Sequence, residues 1–525
     1  MTRFAAGRMC TLTMVAVAFV VSGVSGATDA AAAATCESLK SLSLPRTTIT
    51  LAESVNGGTF TPPESGTGGP PTRPITNLPA FCRVAATVKP SADSNIQIEV
   101  WLPAAGGPDR SALQKWNGKL QSVGNGAWAG IIPYPALGAA LSTGYATAGT
   151  DTGHTGNNAR FAAGHPEKLA DYGYRAVHEM TVAAKGIIAA FYGNGPRVSY
   201  WNSCSTGGRQ GLMEAQRFPA DYDGIVAGAP VYERTRQLIW ELWIAQAVHK
   251  DDASYIPPAK YPVIHRAALA MCDARDGVTD GLIENPTACK FDPGALTCSS
   301  GDAPTCLTPA QVEAARTIYA PAVNPRTRQE IYPALQPGSE LAWGGLAGPQ
   351  PPGEAVDLFK YLVFNNEQWD FRTLAFDTAV ALTDKAERGV LNATDANLKP
   401  FIDRGGKLLL YHGWNDQLVS PVSTINYYNR VLETTGRART ADSVRLFMMP
   451  GMTHCAGGEG PNAFDKVAVL EQWVEHGQAP ARIVASHSAD GKIDRTRPLC
   501  PYPQVASYNG SGSIDDAASF VCRTP

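Results

Sequence analysis

The 525-residue sequence has no basic tract and no cluster of basic and aromatic side chains, so it lacks the electrostatic footprint of a nucleic-acid binder. Its formal net charge is only −3, with acids and bases mixed along the chain. There is no heptad pattern and no internal repeat, which sets aside coiled coils and solenoids. The nine histidines include no His-Glu-x-x-His pair, which weighs against a metal-dependent hydrolase. No segment beyond the N-terminal stretch is apolar enough to span a bilayer. What remains, with 44% hydrophobic residues, is an ordinary globular composition, long enough for a large core and by length alone for two or three domains.

The N-terminus reads as a secretory signal over residues 1–27. Arg3 and Arg8 form a basic start, Leu12 to Val21 an apolar run, and Val24-Ser-Gly-Ala27 a small-residue cleavage zone. An uncleaved anchor is the alternative, but the run is shorter than the ~18 residues a spanning helix needs. The expectation is a secreted or periplasmic protein with no membrane span in the mature chain. Of eleven cysteines, Cys10 lies inside the signal, leaving an even set of ten, as in a disulfide framework. Proximity pairs Cys272 with Cys289, Cys298 with Cys306 and Cys500 with Cys522, while Cys36–Cys82 closes the N-terminal part. Cys204 and Cys455 are left.

Residues 28–95, rich in Pro, Gly, Ser and Thr, read as an irregular segment. Strand patterns then begin: Ile96–Leu102 alternates as a half-buried edge strand would, followed by Lys119–Val123 and Gly144–Gly149. A helix over roughly 170–192 carries Val177, Met180, Ala184, Ile187 and Phe191 on one face. Then come a strand at Arg197–Trp201, a helix from Gln210, and Gly224–Pro230. This alternation predicts an α/β fold with a parallel sheet. From 231 to 400 the rhythm lapses into a stretch of four cysteines, many prolines and scattered aromatics, which reads as an inserted lid domain. It resumes over 401–525 with a strand at Lys407–Tyr411, a helix near 421–432, a strand at Ser443–Met448 and a helix over about 462–476. The sheet is thus expected in two parts, 28–230 and 401–525.

The chemistry centres on Trp201-Asn-Ser-Cys-Ser-Thr-Gly-Gly-Arg-Gln-Gly211. A serine between a strand and a helix, with Gly207 and Gly208 close behind it, is the setting of a nucleophile elbow. Ser203 stands where that pattern usually has glycine, and an ordinary helix-capping serine is the plainer alternative. A serine nucleophile needs a base and an acid to orient it. In an α/β-hydrolase they follow later strands in the order Ser, Asp, His. Asp416 follows the Lys407–Tyr411 strand and His454 follows Ser443–Met448. Cys204 and Cys455 adjoin Ser205 and His454. A bridge between them would fasten nucleophile to base and close a loop, for which chain entropy gives roughly 5 kcal/mol.

The run Cys204-Ser-Thr-Gly-Gly-Arg-Gln210, with His412-Gly-Trp-Asn-Asp416 and the pair His454-Cys455, resembles the tannase and feruloyl esterase family, which includes a mono(2-hydroxyethyl) terephthalate hydrolase. The likeness runs from about Cys36 to Cys522. It implies Ser205 as nucleophile, His454 as base, Asp416 as orienting acid, and all five disulfides, Cys204–Cys455 among them. An oxyanion hole requires backbone N–H donors; Thr206 and Gly126 are expected, with Gly124 as fallback for Gly126. The loop Cys272–Leu282 packs three carboxylates and two glycines, which alone reads equally as an acidic turn or a hard-cation site. The resemblance implies a structural Ca2+ held by Asp273, Asp276 and Asp280 with the Val278 and Leu282 carbonyls, and no organic cofactor. Trp369, Phe371 and Arg372 of the lid and Val419 are candidates for contacting the acyl group. The expected function is secreted serine ester hydrolysis of small aromatic acids, feruloyl or galloyl. Mono(2-hydroxyethyl) terephthalate is an alternative substrate, and a non-catalytic aromatic-ligand binder on the same fold a rival of another class. Oligomeric state is not legible in the sequence.

Overall fold

The computed structural model describes Met1 and residues 35–63, 73–104 and 116–525; the signal-peptide expectation lies outside them. A nine-stranded sheet organises the chain. In chain order its strands are β1 (Thr47–Val55), β2 (Phe81–Val88), β3 (Ile96–Pro103), β4 (Lys119–Val123), β5 (Ala146–Thr150), β6 (Val198–Cys204), β7 (Gly224–Gly228), β8 (Lys407–Gly413) and β9 (Val444–Met449). The spatial order is β1-β2-β3-β5-β4-β6-β7-β8-β9. The first three strands and β5 pair antiparallel, whereas β5, β4 and all that follow run parallel.

Two sequence expectations need correction. The segment 28–95 is not merely irregular, because it supplies β1 and β2. The alternation in Phe81-Cys-Arg-Val-Ala-Ala-Thr-Val88, buried at every second residue, is masked in the sequence by the Pro- and Gly-rich stretch before it. Nor is Ile96–Leu102 an edge strand: β2 covers it, and β3 is almost wholly buried. Its polar Glu99 is accommodated by Arg83, whose Nε donates at 3.0 Å, and by Trp101, whose indole N–H donates at 3.0 Å.

Both sheet faces are packed. The helix α1 (Ala176–Tyr192) buries Val177, Met180, Ala184 and Ile187 in a core with β2, β3, β5 and β6. The helix α2 (Thr206–Arg217) starts directly after β6 and lies against β7. Between β7 and β8 no strand joins the main sheet. That segment packs around the helix α3 (Arg234–Val248), whose Leu238, Ile239, Trp240 and Leu242 are fully buried, in an apolar cluster that also takes in Trp128, Leu169 and Tyr172 from before β6. The chain then returns through β8, α4 (Pro421–Thr435), β9 and α5 (Lys466–His476). This last helix starts later than the pattern suggests because the Asp465 side chain caps it, accepting from the Ala468 N–H at 2.9 Å. Five disulfides join Cys36–Cys82, Cys204–Cys455, Cys272–Cys289, Cys298–Cys306 and Cys500–Cys522. Among the described residues no helix is long and apolar enough to cross a membrane.

Candidate active site

Ser205 sits in the step from β6 to α2 at φ +63° and ψ −127°, a conformation a non-glycine residue adopts only when its surroundings enforce it. The enforcement is visible. The Ser205 N–H donates to the Gly228 carbonyl at 2.9 Å, and its own carbonyl accepts from Arg209 N–H at 3.0 Å. A Cβ on Gly208 would come within 2.4 Å of the Gly228 carbonyl oxygen, and one on Gly207 within 1.9 Å of Ser203 Oγ. Both glycines are therefore needed for α2 to start this close to β7 and to Ser203.

The three candidate residues meet. His454 Nε2 lies 2.9 Å from Ser205 Oγ, and its Nδ1 lies 2.7 Å from Asp416 Oδ2. Asp416 is fully buried. Its Oδ1 accepts from Leu418 and Val419 N–H groups, both at 2.9 Å. Burial pushes the Asp416 carboxyl up, but the adjacent His454 and the hydrogen bonds from both histidines outweigh it, so the acid stays ionised far below its ordinary range. Burial likewise pushes His454 down, but the Asp416 charge overrides this and raises it above its ordinary value. The Cys204–Cys455 bridge, with Cα atoms 5.9 Å apart, ties the residue before Ser205 to the residue after His454.

Sequence reasoning missed residues that hold this arrangement. His412 shares the carboxylate: its Nε2 lies 3.0 Å from Asp416 Oδ2 and 3.1 Å from the Val419 carbonyl, and its Nδ1 2.7 Å from Thr424 Oγ1. Facing two acceptors, Nε2 carries the hydrogen. The spacing of four from His412 to Asp416 was the available signal. Gln210 and Asn125 clamp the loop after β4 to α2: Asn125 N–H donates to Gln210 Oε1 at 3.1 Å, and Gln210 Nε2 to Asn125 Oδ1 at 3.2 Å. Thr206 Oγ1 donates to the Ala127 carbonyl of that loop at 3.1 Å, which brings the loop to the start of α2. Gly126 lies in open space, where a Cβ would meet nothing within 4 Å, whereas Gly124 is pressed against Gln210, Trp201 and Gly207.

A cavity of about 280 Å³ opens at Ser205 and His454; Arg234, Gln237, Glu241, Glu354 and Val419 are among its lining residues. The expected acyl contacts Trp369, Phe371 and Arg372 fall elsewhere. Trp369 packs on Phe359 and Phe364, with ring centres 5.2 and 5.4 Å apart. Phe371 is buried in the apolar cluster around α3, where its carbonyl accepts from Gln246 at 2.8 Å. Arg372 lies over the Phe371 ring at 4.8 Å with an exposed side chain. None of these three lines the cavity. A 3-10 turn at Phe371–Thr373 directs Phe371 into the apolar cluster around α3, a local geometry that aromatic content alone does not reveal.

A hydroxyl hydrogen-bonded to an imidazole, itself oriented by a buried carboxylate, can attack an acyl carbon while its proton passes to the imidazole. Acyl transfer by a serine is the chemistry this arrangement offers, and carboxylic ester hydrolases are among the classes built on it. The comparisons agree. The family described as tannase and feruloyl esterase matches residues 82–523. The chain is 39% identical to an uncharacterised esterase of Xanthomonas campestris pv. campestris, over 94% of this chain and 92% of the other. It is 34% identical to the probable feruloyl esterase B-1 of Aspergillus oryzae, over 86% and 85%. The crystal structure of feruloyl esterase B from Aspergillus oryzae superposes with a TM-score of 0.86 at 31% identity, covering 93% of this chain and 99% of that one. The tannin acyl hydrolase from Aspergillus niger shares the fold, with a TM-score of 0.74 at 22% identity over 91% and 92%. This chain belongs to the tannase and feruloyl esterase family.

The raised His454 fixes the sign of the acid limb. A base must be neutral to accept a proton, so kcat/KM on an ester is expected to rise with pH through a midpoint above 6.5. Asp416→Asn removes the charge that raises it. A pH–rate titration of that variant is expected to show about 10⁴-fold lower kcat and a midpoint displaced downward; an unmoved midpoint would contradict the assignment.

Proposed function

We propose that the protein is an exported serine esterase that cleaves esters of small aromatic acids through an acyl-enzyme. The observation that carries this reading is the unbroken hydrogen-bonded chain from Ser205 through His454 to Asp416, opening on a cavity. Ser205 attacks the ester carbonyl as His454 takes its proton, and Asp416 holds the imidazole in the required tautomer and stabilises its charged form. The oxyanion is received by the Thr206 N–H at the start of α2 and the Gly126 N–H in the loop after β4. His454 then protonates the departing alcohol, and water repeats the sequence on the acyl-enzyme. Support for an aromatic acyl group comes from the relatives named feruloyl esterase and tannin acyl hydrolase. Feruloyl or other hydroxycinnamoyl esters are the first choice and galloyl esters the second. Five disulfides accord with export into an oxidising compartment.

We further propose that Asp273, Asp276 and Asp280 hold a structural Ca2+ with the Val278 and Leu282 carbonyls. The donor set fits a hard cation. Asp273 accepts from Asp280 N–H at 3.1 Å and Gly281 N–H at 2.9 Å, Asp276 from Val278 N–H at 3.1 Å and Asp280 from Leu282 N–H at 3.1 Å, each oxygen keeping a further lone pair; Asp280 also pairs with the buried Arg497 guanidinium, so a cation would share that carboxylate with it. Burial, with the charges of Asp280 and Asp273 adding, pushes Asp276 up to about 6 against the Val278 N–H bond and the nearby Arg497 charge, so three carboxylates face a single cationic side chain there. A bound cation would cross-link this loop and leave the chemistry to Ser205. Chelation is expected to lower Tm, with added Ca2+ restoring it, and to leave Asp276→Asn far less responsive. Equal melting of all samples would remove the metal.

Hydrolysis of methyl ferulate, methyl gallate, mono(2-hydroxyethyl) terephthalate and p-nitrophenyl acetate by wild type and Ser205→Ala tests the main reading. At least one aromatic ester is expected to turn over, with the variant reduced by about 10⁶-fold. Ligand binding without turnover by wild type would instead favour a non-catalytic binder.

A further inference from the structure

Three side chains that the ester chemistry does not use converge near the end of α2 that points away from Ser205. His178 belongs to α1, Glu214 to the last turn of α2, and Asp221 to the turn that leads from α2 into β7. Each offers one donor atom, an imidazole nitrogen or a carboxylate oxygen, and the three atoms lie within 4.8 Å of one another. His178 Nδ1 is 2.6 Å from Asp221 Oδ2, and its ring stacks on Phe218 with ring centres 3.9 Å apart. The imidazole is therefore oriented from two sides. The turn itself is closed by Asp221 N–H, which donates to the Phe218 carbonyl at 2.9 Å.

Glu214 is the member that bonding within the protein leaves incomplete. It is 1% exposed, and neither of its carboxylate oxygens has a hydrogen-bond partner. A buried acid in that state bears its desolvation cost without compensation. Lys185, also on α1, donates from its ammonium to the Asp221 backbone carbonyl and leaves Glu214 bare. A proton shared between Glu214 and Asp221 would complete one Glu214 oxygen and leave the other unpartnered. A divalent ion among the two carboxylates and the imidazole satisfies the whole set, since a carboxylate can turn both oxygens to one ion. Entry does not depend on Glu214: the His178 and Asp221 side chains are 28% and 13% exposed, so the cluster opens to solvent through them.

The donor set also selects the ion. An imidazole nitrogen disfavours calcium and magnesium, and a set without thiolate disfavours copper(I). Zinc takes imidazole and carboxylate donors at about 2.0–2.2 Å, with water in any position the protein leaves open. Donors at that distance from one ion stand roughly 3–4 Å apart, so small side-chain rotations close the cluster. We propose that His178, Glu214 and Asp221 form a structural zinc site, distinct from the Ser205 centre and from the acidic loop Asp273–Leu282. The ion ties α1 to the end of α2 and to the approach to β7, on the helix that begins at the nucleophile.

The test uses the full chain, stripped with EDTA and returned to excess Ca2+ so that the acidic loop does not compete. Equilibrium dialysis against micromolar ZnCl2 measures binding, and thermal melting measures stabilisation. Wild type is expected to bind one equivalent of zinc and to melt higher with it. His178→Gln and Glu214→Gln are each expected to bind at least about tenfold more weakly and to lose the gain in Tm. Asp276→Asn, in the acidic loop, is expected to bind zinc as wild type does. The two ligand variants lie on different helices, and circular dichroism identifies a folded one to carry the comparison. Failure of wild type to bind zinc overturns the proposal and leaves a shared proton as the account of Glu214. Zinc held with wild-type affinity by a folded ligand variant overturns it as well, because the ion then sits elsewhere on the surface.

Discussion

Two loops 249 residues apart in sequence meet across a single hydrogen bond of 2.9 Å between Ser205 and His454. A chain does not maintain such a contact without independent restraint, because the entropy of closing a loop this long opposes it. The Cys204–Cys455 bridge supplies the restraint at the adjoining residues. The backbone supplies the rest. β6, β7, β8 and β9 are parallel neighbours, so the turns bearing Ser205, Asp416 and His454 all fall at the carboxyl ends of their strands, where sites form in such sheets. The two glycines after Ser205 let α2 close against this end.

The polar side of the cavity has a different origin. It comes from α3, which belongs to the segment between β7 and β8 and packs in a second apolar cluster shared with Trp128 and Tyr172. The two units are joined at the site: Gln237 of α3 bonds the Leu418 carbonyl, beside the N–H groups that hold Asp416. A second tie is remote from the cavity, where His265 of the inserted segment lies 2.8 Å from Glu340 and 3.0 Å from Glu459, the latter on the loop that carries His454. The triad turns and the α3 wall of the cavity thus come from different stretches of chain, joined by shared apolar packing, with Trp128 and Tyr172 in the same cluster as α3, as well as by polar contacts.

What the sequence made legible was whatever depends on local pattern. Ser205, Asp416 and His454 could be found because each lies just after a strand-like run, and the cysteine flanking Ser205 and His454 drew attention to the same places. β1 and β2 were hidden because a Pro- and Gly-rich stretch lies between them and their pairing is non-local. The cavity wall was less legible still. Trp369, Phe371 and Arg372 were attractive by residue type, yet two of them serve packing and the third is exposed. The residues that do reach the cavity, Arg234, Gln237 and Glu241, look in sequence like the polar face of an ordinary surface helix. Their burial depends on which part of the chain covers α3, and no periodicity encodes that.

The central claim is that the disulfide matters by holding nucleophile and base in register. The direct measurement is steady-state kinetics of Cys204→Ser/Cys455→Ser on an ester the wild type cleaves, with far-UV circular dichroism to confirm that the fold persists. If the bridge positions Ser205 and His454, kcat falls about 10²-fold or more, since misplacement near 1 Å costs that much, while KM changes little. A folded double variant with wild-type kcat would contradict the account, because the strand ends and hydrogen bonds would then hold the pair without it.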